Sequence, residues 1–476
     1  MSNDPLRIHL SLVSHTNIGK TTLARTLLSR DIGEVADRAH VTETTDDYVL
    51  ARTPEGCELI LWDTPGFGNS VALAKRLEGR ANPVGWFLSE VWDRMANKSL
   101  WLNQKALKHV KETSSVVLYL VNATELPDSA PYVNAEMRIL EWIGKPVIVL
   151  LNQIGQPKPP EAEQADVDRW TNAMAAYPIV SSVLPMDAFS RCWVQEYALF
   201  EAIAKALPEE LSVTFDALRE VWSRKRQAAY SASIQAITHY LEKLAKDQEH
   251  AEAASIKDQL RFLGKRLGLF KNETNSDPIE AAQTALASRA ADEFCALTDK
   301  LIAINSLKGR GIRKELLQRM QSDWKISSSL PLSPAAVAGA VGTGTVSGFA
   351  TDLATGGLSI GLGTLIGTIV GAVGGTGLAV AYNRRKGSSG TTVSWSQTAL
   401  SNFQNEAILL YLAVAHYGRG RGNWQESEYP PHWSIVVQQS SYLSTTSSKD
   451  LAISLNEIIR NILDKIYHLP GTRHTT

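Results

Sequence analysis

The sequence predicts a doubly wound, mostly parallel α/β sheet followed by an all-helical region, and three observations carry that prediction. Over residues 1–207 short apolar runs alternate with helical stretches, as in strand–helix–strand units. From 208 onward the apolar positions move to helical spacing, with charges crowding the positions between. The chain is 476 residues long, enough for two to four domains and for cores that need no covalent staples.

Composition removes several classes. Lys+Arg number 48 against Asp+Glu 49, a net charge of −1, so no nucleic-acid partner is expected from charge. Charged residues at 20 % and apolar ones at 44 % exclude both a disordered chain and a polytopic transporter. The three cysteines, Cys57, Cys192 and Cys295, lie far apart and suit a reducing compartment. The ten histidines show no metal spacing. The start, MSNDPLRIHL, lacks an apolar stretch after a basic one, so no secretory signal is read and a cytoplasmic chain is expected.

In chain order, the strand candidates are Arg7–Val13, Asp47–Arg52, Leu59–Asp63, Val116–Asn122, Val147–Asn152 and Ile179–Leu184. The helix candidates are Lys20–Leu28, a long region around Phe87–Thr113, Asn134–Gly144, Ala162–Ala176 and Trp193–Leu207. Thr53-Pro54-Glu55-Gly56 reads as the turn of an antiparallel hairpin joining the second and third strands. Residues 208–328 read as a helical domain, with Ile234, Ile237, Tyr240, Leu241 and Leu244 on one face and Leu297, Leu301, Ile304 and Leu307 on another. Lys271–Asp277 reads as a break. Residues 329–386 form a Gly-rich apolar segment, and 387–476 a mainly helical region with helices near Ala399–Ala415 and Leu451–Tyr467.

The first strand runs into Ser14-His15-Thr16-Asn17-Ile18-Gly19-Lys20-Thr21-Thr22, which opens a helix. This is a phosphate-binding loop (P-loop) in all but one position, where Ser14 stands for the first glycine. In such a loop the backbone amides from Asn17 to Thr22 wrap the phosphates. Lys20 reaches the terminal ones and the Thr21 hydroxyl ligates Mg2+. Farther on, Asp63-Thr64-Pro65-Gly66 closes the apolar strand Leu59–Asp63; the carboxylate can hold Mg2+ through water and the Gly66 amide can meet a γ-phosphate. Between the two lies Thr42-Glu43-Thr44-Thr45-Asp46-Asp47.

This order and spacing resembles the translation-factor-related GTPases of the Era/TrmE type, over roughly the first 205 residues. The resemblance implies a small-G-protein-like P-loop NTPase fold, GTP and GDP as ligands, Mg2+ as cofactor and a metal-binding switch threonine at Thr45, or at Thr44 if the register slips by one. It also implies a K+ ion held partly by the P-loop asparagine, here Asn17, whose other reading is a brace for the loop. With Lys20 and Thr45, Asn17 completes the catalytic set.

The base-reading elements depart from that family. Its Asn-Lys-x-Asp appears as Asn152-Gln153-Ile154-Gly155, without the aspartate that pairs with guanine. The later loop reads Met186-Asp187-Ala188-Phe189. Either Asp187, with Ala188 beside it, supplies the missing carboxylate, or base selectivity is relaxed; a helix N-cap is the other reading of Asp187. Phe67 stands where Ras-like proteins place a water-orienting glutamine, so turnover is expected to be slow, raised by K+ or by self-association. Trp86, Trp92 and Trp101, in the long stretch before Val116, read as packing against the added helical domain or as a partner surface.

Gly363, Gly367, Gly371 and Gly375 recur every four residues within Leu358–Tyr382, and Ala336, Ala340, Gly344 and Gly348 do so before them. On helices each set would form a ridge of small residues, the close packing used in membranes. The charge-free runs are long enough to span hydrocarbon, turning near Asp352–Gly357, with Lys325 and Arg384-Arg385-Lys386 on the cytoplasmic side. Membrane lipid and the inner membrane are therefore the expected partner and place; burial within the protein's own bundle is the alternative. Arg419–Arg421 reads as a connector or a lipid-phosphate contact. Arrangement, and the phrase Tyr411–Gly420, are also similar to a bacterial GTPase family of unknown role, with an Era-like domain ahead of a helical, glycine-rich one. A nucleotide switch acting on a membrane-associated domain is the expectation, and a non-hydrolysing scaffold the alternative.

Overall fold

The structure is a computed structural model that describes residues 5–29, 46–89, 98–152, 160–187, 193–252, 278–307, 378–385, 388–416, 432–439 and 448–467. The chain divides into two compact units, 1–229 with 415–430, and 230–414 with 431–476.

The first unit is built on a six-stranded sheet in the order β2-β3-β1-β4-β5-β6. The strands are β1 (Arg7–Ser14), β2 (Asp46–Arg52), β3 (Glu58–Asp63), β4 (Val116–Asn122), β5 (Val147–Asn152) and β6 (Val180–Pro185). All pairings are parallel except β2 with β3, the hairpin whose turn closes with Gly56 N–H on Thr53 O at 3.0 Å. Central strands buried on both faces need continuous apolar runs, which is why β4 and β5 are legible as VVLYLVN and VIVLLN. The helices are α1 (Lys20–Leu28), α2 (Ser70–Leu77), α3 (Pro83–Ser89), α4 (Lys98–Thr113), α5 (Pro131–Ile143), α6 (Pro160–Met174), α7 (Trp193–Ala206) and α8 (Glu209–Lys246), of which residues 209–229 belong to this unit.

Alternate strand residues feed two cores. Ile8, Leu10 and Leu12 join Leu23, Ile203 and Phe215 on one face, while Val13, Val117 and Tyr119 join Phe67, Leu107 and Leu140 on the other. The long helical region expected around Phe87–Thr113 is represented among the described residues by α3 and α4. Trp86 packs on the unit's own core beside Phe87, and Arg80 lies over its ring at 3.4 Å. Trp92 lies outside the described residues.

In the second unit the first expected helical face is buried and the second is buried in part, since Ile304 and Leu307 are only half-buried and Leu307 lies beyond its helix. Ile234, Ile237, Tyr240, Leu241 and Leu244 of α8 are buried, as are Leu297 and Leu301 of the helix Pro278–Ile304. Two expectations are corrected. The region 208–328 is not all helical, because β7 (Gln248–Glu252) pairs with β9 (Ser388–Trp395). Nor does the Gly-rich stretch end as a helix: Leu378–Arg385 is strand β8, antiparallel to β9. Thr391-Thr392-Val393 supplies β-branched residues that favour strand, and Leu378–Arg385 pairs along the strand that carries them. No described helix is long and apolar enough to cross a membrane. Gly363–Gly375, Ala336–Gly348, the Asp352–Gly357 turn, Lys386, the Lys271–Asp277 break and Arg419–Arg421 lie outside the described residues.

Candidate functional site

Ser14, Asp63, Asn122 and Asn152 end their strands at one edge of the sheet, where β1 and β4 lead away to opposite sides. Open α/β sheets place their ligands at such a point. Between β1 and α1 two residues have left-handed backbone, Asn17 at φ 64° and Gly19 at φ 96°. Asparagine tolerates that region and glycine enters it freely. A Cβ on Gly19 would stand 2.7 Å from Asn152 Nδ2, so the turn needs glycine twice over. The loop delivers the positive end of α1 to whatever it surrounds.

Lys20 is the first residue of α1 and only 7 % exposed. Its Nζ donates to Ser14 Oγ at 3.0 Å. Burial pushes its pKa down, opposed by Asp63 and Glu136. Thr21 Oγ1 donates to Asp63 Oδ2 at 2.5 Å, bringing the two predicted metal-holding groups together. Burial raises the Asp63 carboxyl, against the Thr21 hydrogen bond and the Lys20 charge. Gly66 lies against the loop: a Cβ there would stand 3.0 Å from Thr16 Cα and 3.1 Å from Lys20 Nζ. The Phe67 amide donates to Ser14 O at 2.9 Å, and the Phe67 ring is buried in the core, away from any water it would have to orient.

A hard divalent cation fits these residues. Asp63 Oδ1 is buried without a hydrogen-bond partner, an unusual expense for a carboxylate oxygen, and the Thr21 hydroxyl is already on its neighbour. Hydroxyl and carboxylate oxygens are what Mg2+ prefers, with phosphates and water completing its shell. Among the described residues no group of three or more His, Cys, Asp or Glu could hold a metal on its own.

Asn152, fully buried, donates from Nδ2 to Ile18 O at 2.5 Å, while the Ile18 side chain is packed in the core. Thr22 is buried and Asn17 exposed. Asp187 follows β6, is 9 % exposed, and leaves the sheet beside Asn152, since Leu151 registers with Pro185. Thr44, Thr45, Gln153–Gly155, Ala188 and Phe189 lie outside the described residues.

A second set of side chains behind the loop gave no sequence signal. His15 Nδ1 donates to Glu136 Oε1 at 2.8 Å, and the Tyr119 hydroxyl donates to Glu136 Oε2 at 2.8 Å. The His15 ring stacks on Tyr132 with centroids 4.5 Å apart, and the Tyr132 hydroxyl donates to Glu125 at 2.6 Å. Glu136 is wholly buried, and its charge and hydrogen bond add to burial in holding the Tyr119 phenol well above its usual range.

Two parts of the chain match described families. Residues 9–153 match the family "50S ribosome-binding GTPase". Residues 311–457 match "Domain of unknown function (DUF3482)". The chain is similar to GTPase Era of Aquifex aeolicus (strain VF5), with 25 % identity over 206 residues, 42 % of this chain and 57 % of that protein. It thus spans little more than half the length of that curated relative. Solved structures similar to it include Era in complex with MgGDPNP and nucleotides 1506–1542 of 16S ribosomal RNA, at 17 % identity and TM-score 0.33, covering 52 % of this chain and 73 % of that one. Another is Aquifex aeolicus Era bound to GDP.AlF4-, at 16 % identity and TM-score 0.32, covering 61 % and 89 %.

Proposed function

We propose that this chain, whose residues 9–153 match a GTPase family and whose residues 311–457 match a domain of unknown function, binds guanine nucleotide with Mg2+ and hydrolyses GTP slowly. The observation that carries this reading is the Thr21–Asp63 contact beside Lys20 and Gly66, which brings two distant sequence elements side by side. When bound, Mg2+ neutralises phosphate charge; Thr21 and Asp63 would hold it, with Thr45 as a further candidate. Lys20 grips the terminal phosphates and Gly19 lets the backbone approach them. Phe67, turned into the core, leaves the attacking water without a side-chain guide from that position, which supports a slow rate.

Guanine preference in this reading falls to Asp187, the buried carboxylate that leaves the sheet next to Asn152. A site of relaxed base selectivity is the competing reading, favoured by the engagement of the Asn152 amide with Ile18. Titration of GTP, GDP and ATP into the full chain and its Lys20→Ala variant tests both. Tight GTP binding lost in the variant supports the proposal, and tight ATP with feeble GTP binding overturns it. Single-turnover hydrolysis in K+ and in Na+ tests the K+ role of Asn17, and no turnover in either salt favours a non-hydrolysing scaffold.

The nucleotide state would act on the C-terminal region. Its long charge-free runs and the Arg384–Lys386 cluster support contact with lipid at the inner membrane, from the cytoplasmic side. Flotation on anionic liposomes, with and without residues 330–386, tests that extension. Co-sedimentation with ribosomal subunits in GTP tests whether the partner named by the matching family extends to this chain.

A further inference from the structure

The phosphate-binding loop departs from its usual pattern at one position, and the side chain found there is engaged. Ser14 replaces the first glycine, its φ is not in the left-handed region, and it is wholly buried. Nothing in its backbone calls for glycine, so the hydroxyl costs no strain. A hydroxyl has one proton to give and two lone pairs to offer. Ser14 Oγ gives its proton to the His15 carbonyl at 2.5 Å. That fixes the rotor and turns a lone pair toward Lys20 Nζ, 3.0 Å away. The Ser14 carbonyl meanwhile accepts the Phe67 amide, at the root of the second phosphate element.

The carbonyl that takes the Ser14 proton is itself held. His15 stacks on Tyr132 and donates to Glu136, which also accepts from Tyr119. The sequence of contacts runs Tyr119, Glu136, His15, Ser14, Lys20, and every member belongs to the first unit. Glu136 also acts on Lys20 through its charge.

We propose that Ser14 is a positioning residue for Lys20, and that Glu136, acting through His15, sets the Ser14 hydroxyl. This rests on the reading of the site as a GTP site. An ammonium carries three protons; one given to a fixed acceptor leaves the other two aimed at phosphate oxygens. Because Lys20 reaches the terminal phosphates, the contact matters more for GTP than for GDP.

Binding of fluorescent GTP and GDP, with Mg2+, to the full chain and its variants tests this. Ser14→Ala removes the hydroxyl at nearly constant volume. It is expected to weaken GTP by about tenfold and GDP by less than about twofold, the scale of one hydrogen bond to a charged group. Glu136→Gln shifts the GTP-to-GDP ratio in the same direction, and Ser14→Thr, which keeps a hydroxyl, restores the wild-type ratio. Equal losses for both nucleotides, an unchanged ratio, or a gain for GTP overturns the positioning role. Should Ser14→Ala fail to fold, the ratio in Glu136→Gln decides. A wild-type chain that binds neither nucleotide overturns the GTP reading itself; one that binds both with a ratio insensitive to Ser14→Ala overturns only this inference.

Discussion

The side-chain amide of Asn152 and the carbonyl of Ile18 are 2.5 Å apart, joining the end of β5 to the middle of the phosphate-binding loop. Both groups are buried, so the hydrogen bond shapes the loop from beneath. Asn152→Ala would strand the Ile18 carbonyl, a cost of about 1–3 kcal/mol. We expect a lower melting temperature together with equal weakening of GTP and GDP, because a deformed loop fails both. Gly19→Ala should behave alike, since it needs φ 96° and would put Cβ 2.7 Å from the same amide. Calorimetric melting and nucleotide titration of the two variants check this, and selective loss of GTP alone would be inconsistent with a brace.

Asp63 and Thr21 make a different prediction because they act through the cation. Asp63→Asn keeps the shape and an acceptor for the Thr21 hydroxyl, but loses the charge. Nucleotide affinity measured in EDTA should stay within about twofold of wild type, while the tightening produced by Mg2+ should fall by about tenfold or more. Paired titrations with and without Mg2+ read this directly. If Mg2+ tightens binding equally in both proteins, Asp63 does not serve the metal.

Much of this architecture is legible in the sequence because its signals are local. The central strands are unbroken apolar runs, and Asn17–Thr22 and Asp63–Gly66 carry their chemistry within a few residues. The relay behind the loop is not legible. Glu136, between Ala135 and Met137 on α5, reads as an ordinary helix charge, and its partner His15 lies 121 residues away. Burial comes from the shared core that α5 joins and from the His15 and Tyr119 side chains that meet the carboxylate. The β7–β9–β8 sheet was hidden for a related reason. Gln248-Glu249-His250-Ala251-Glu252 has no strand propensity of its own and becomes a strand by pairing with Gly390–Ser394. Helix α2 escaped because its eight residues follow a phosphate element whose pattern dominates the reading.

On the face of the sheet covered by α4, Trp62 lies between two histidines. Its indole N–H donates to His9 Nδ1 at 2.9 Å, and its ring centroid is 4.3 Å from that of His109. His109 Nε2 is 3.1 Å from Ser11 Oγ. Burial, followed by the neighbouring His9, lowers the His109 pKa to about 4. Burial, followed by Arg7, lowers that of His9. The fold therefore prefers both rings neutral, and the unfolded chain binds protons first. This contribution to stability is complete above the unfolded value near 6.5 and is lost as pH falls toward about 4. Denaturant titrations at pH 7 and pH 4.5 should show the loss, with a change in Trp62 emission, and His109→Gln should show less of it. Equal losses in both proteins would assign the acid sensitivity elsewhere.

Arg226 of α8 closes the other end of α1. Its guanidinium donates to Leu27 O at 3.3 Å and to Ser29 Oγ at 3.0 Å, and to both oxygens of Glu196 at 2.9 Å. Ser29 has left-handed backbone at φ 54°, the shape of a helix C-cap, so the cation sits where the helix carbonyls and dipole favour it. Glu196 has only 3 % of its side chain exposed. Arg226→Met thus does two things: it uncaps the helix that begins at Lys20, and it leaves a buried carboxylate without its counter-charge. Breaking such a pair from one side costs about 3–5 kcal/mol. Replacing Glu196 as well, in Arg226→Met with Glu196→Leu, removes the stranded charge and should recover part of that loss, leaving the smaller cost of the missing cap. Chemical denaturation of the three proteins measures both terms, and a double variant no more stable than Arg226→Met would show that the ion pair is not what holds α7, α8 and α1 together.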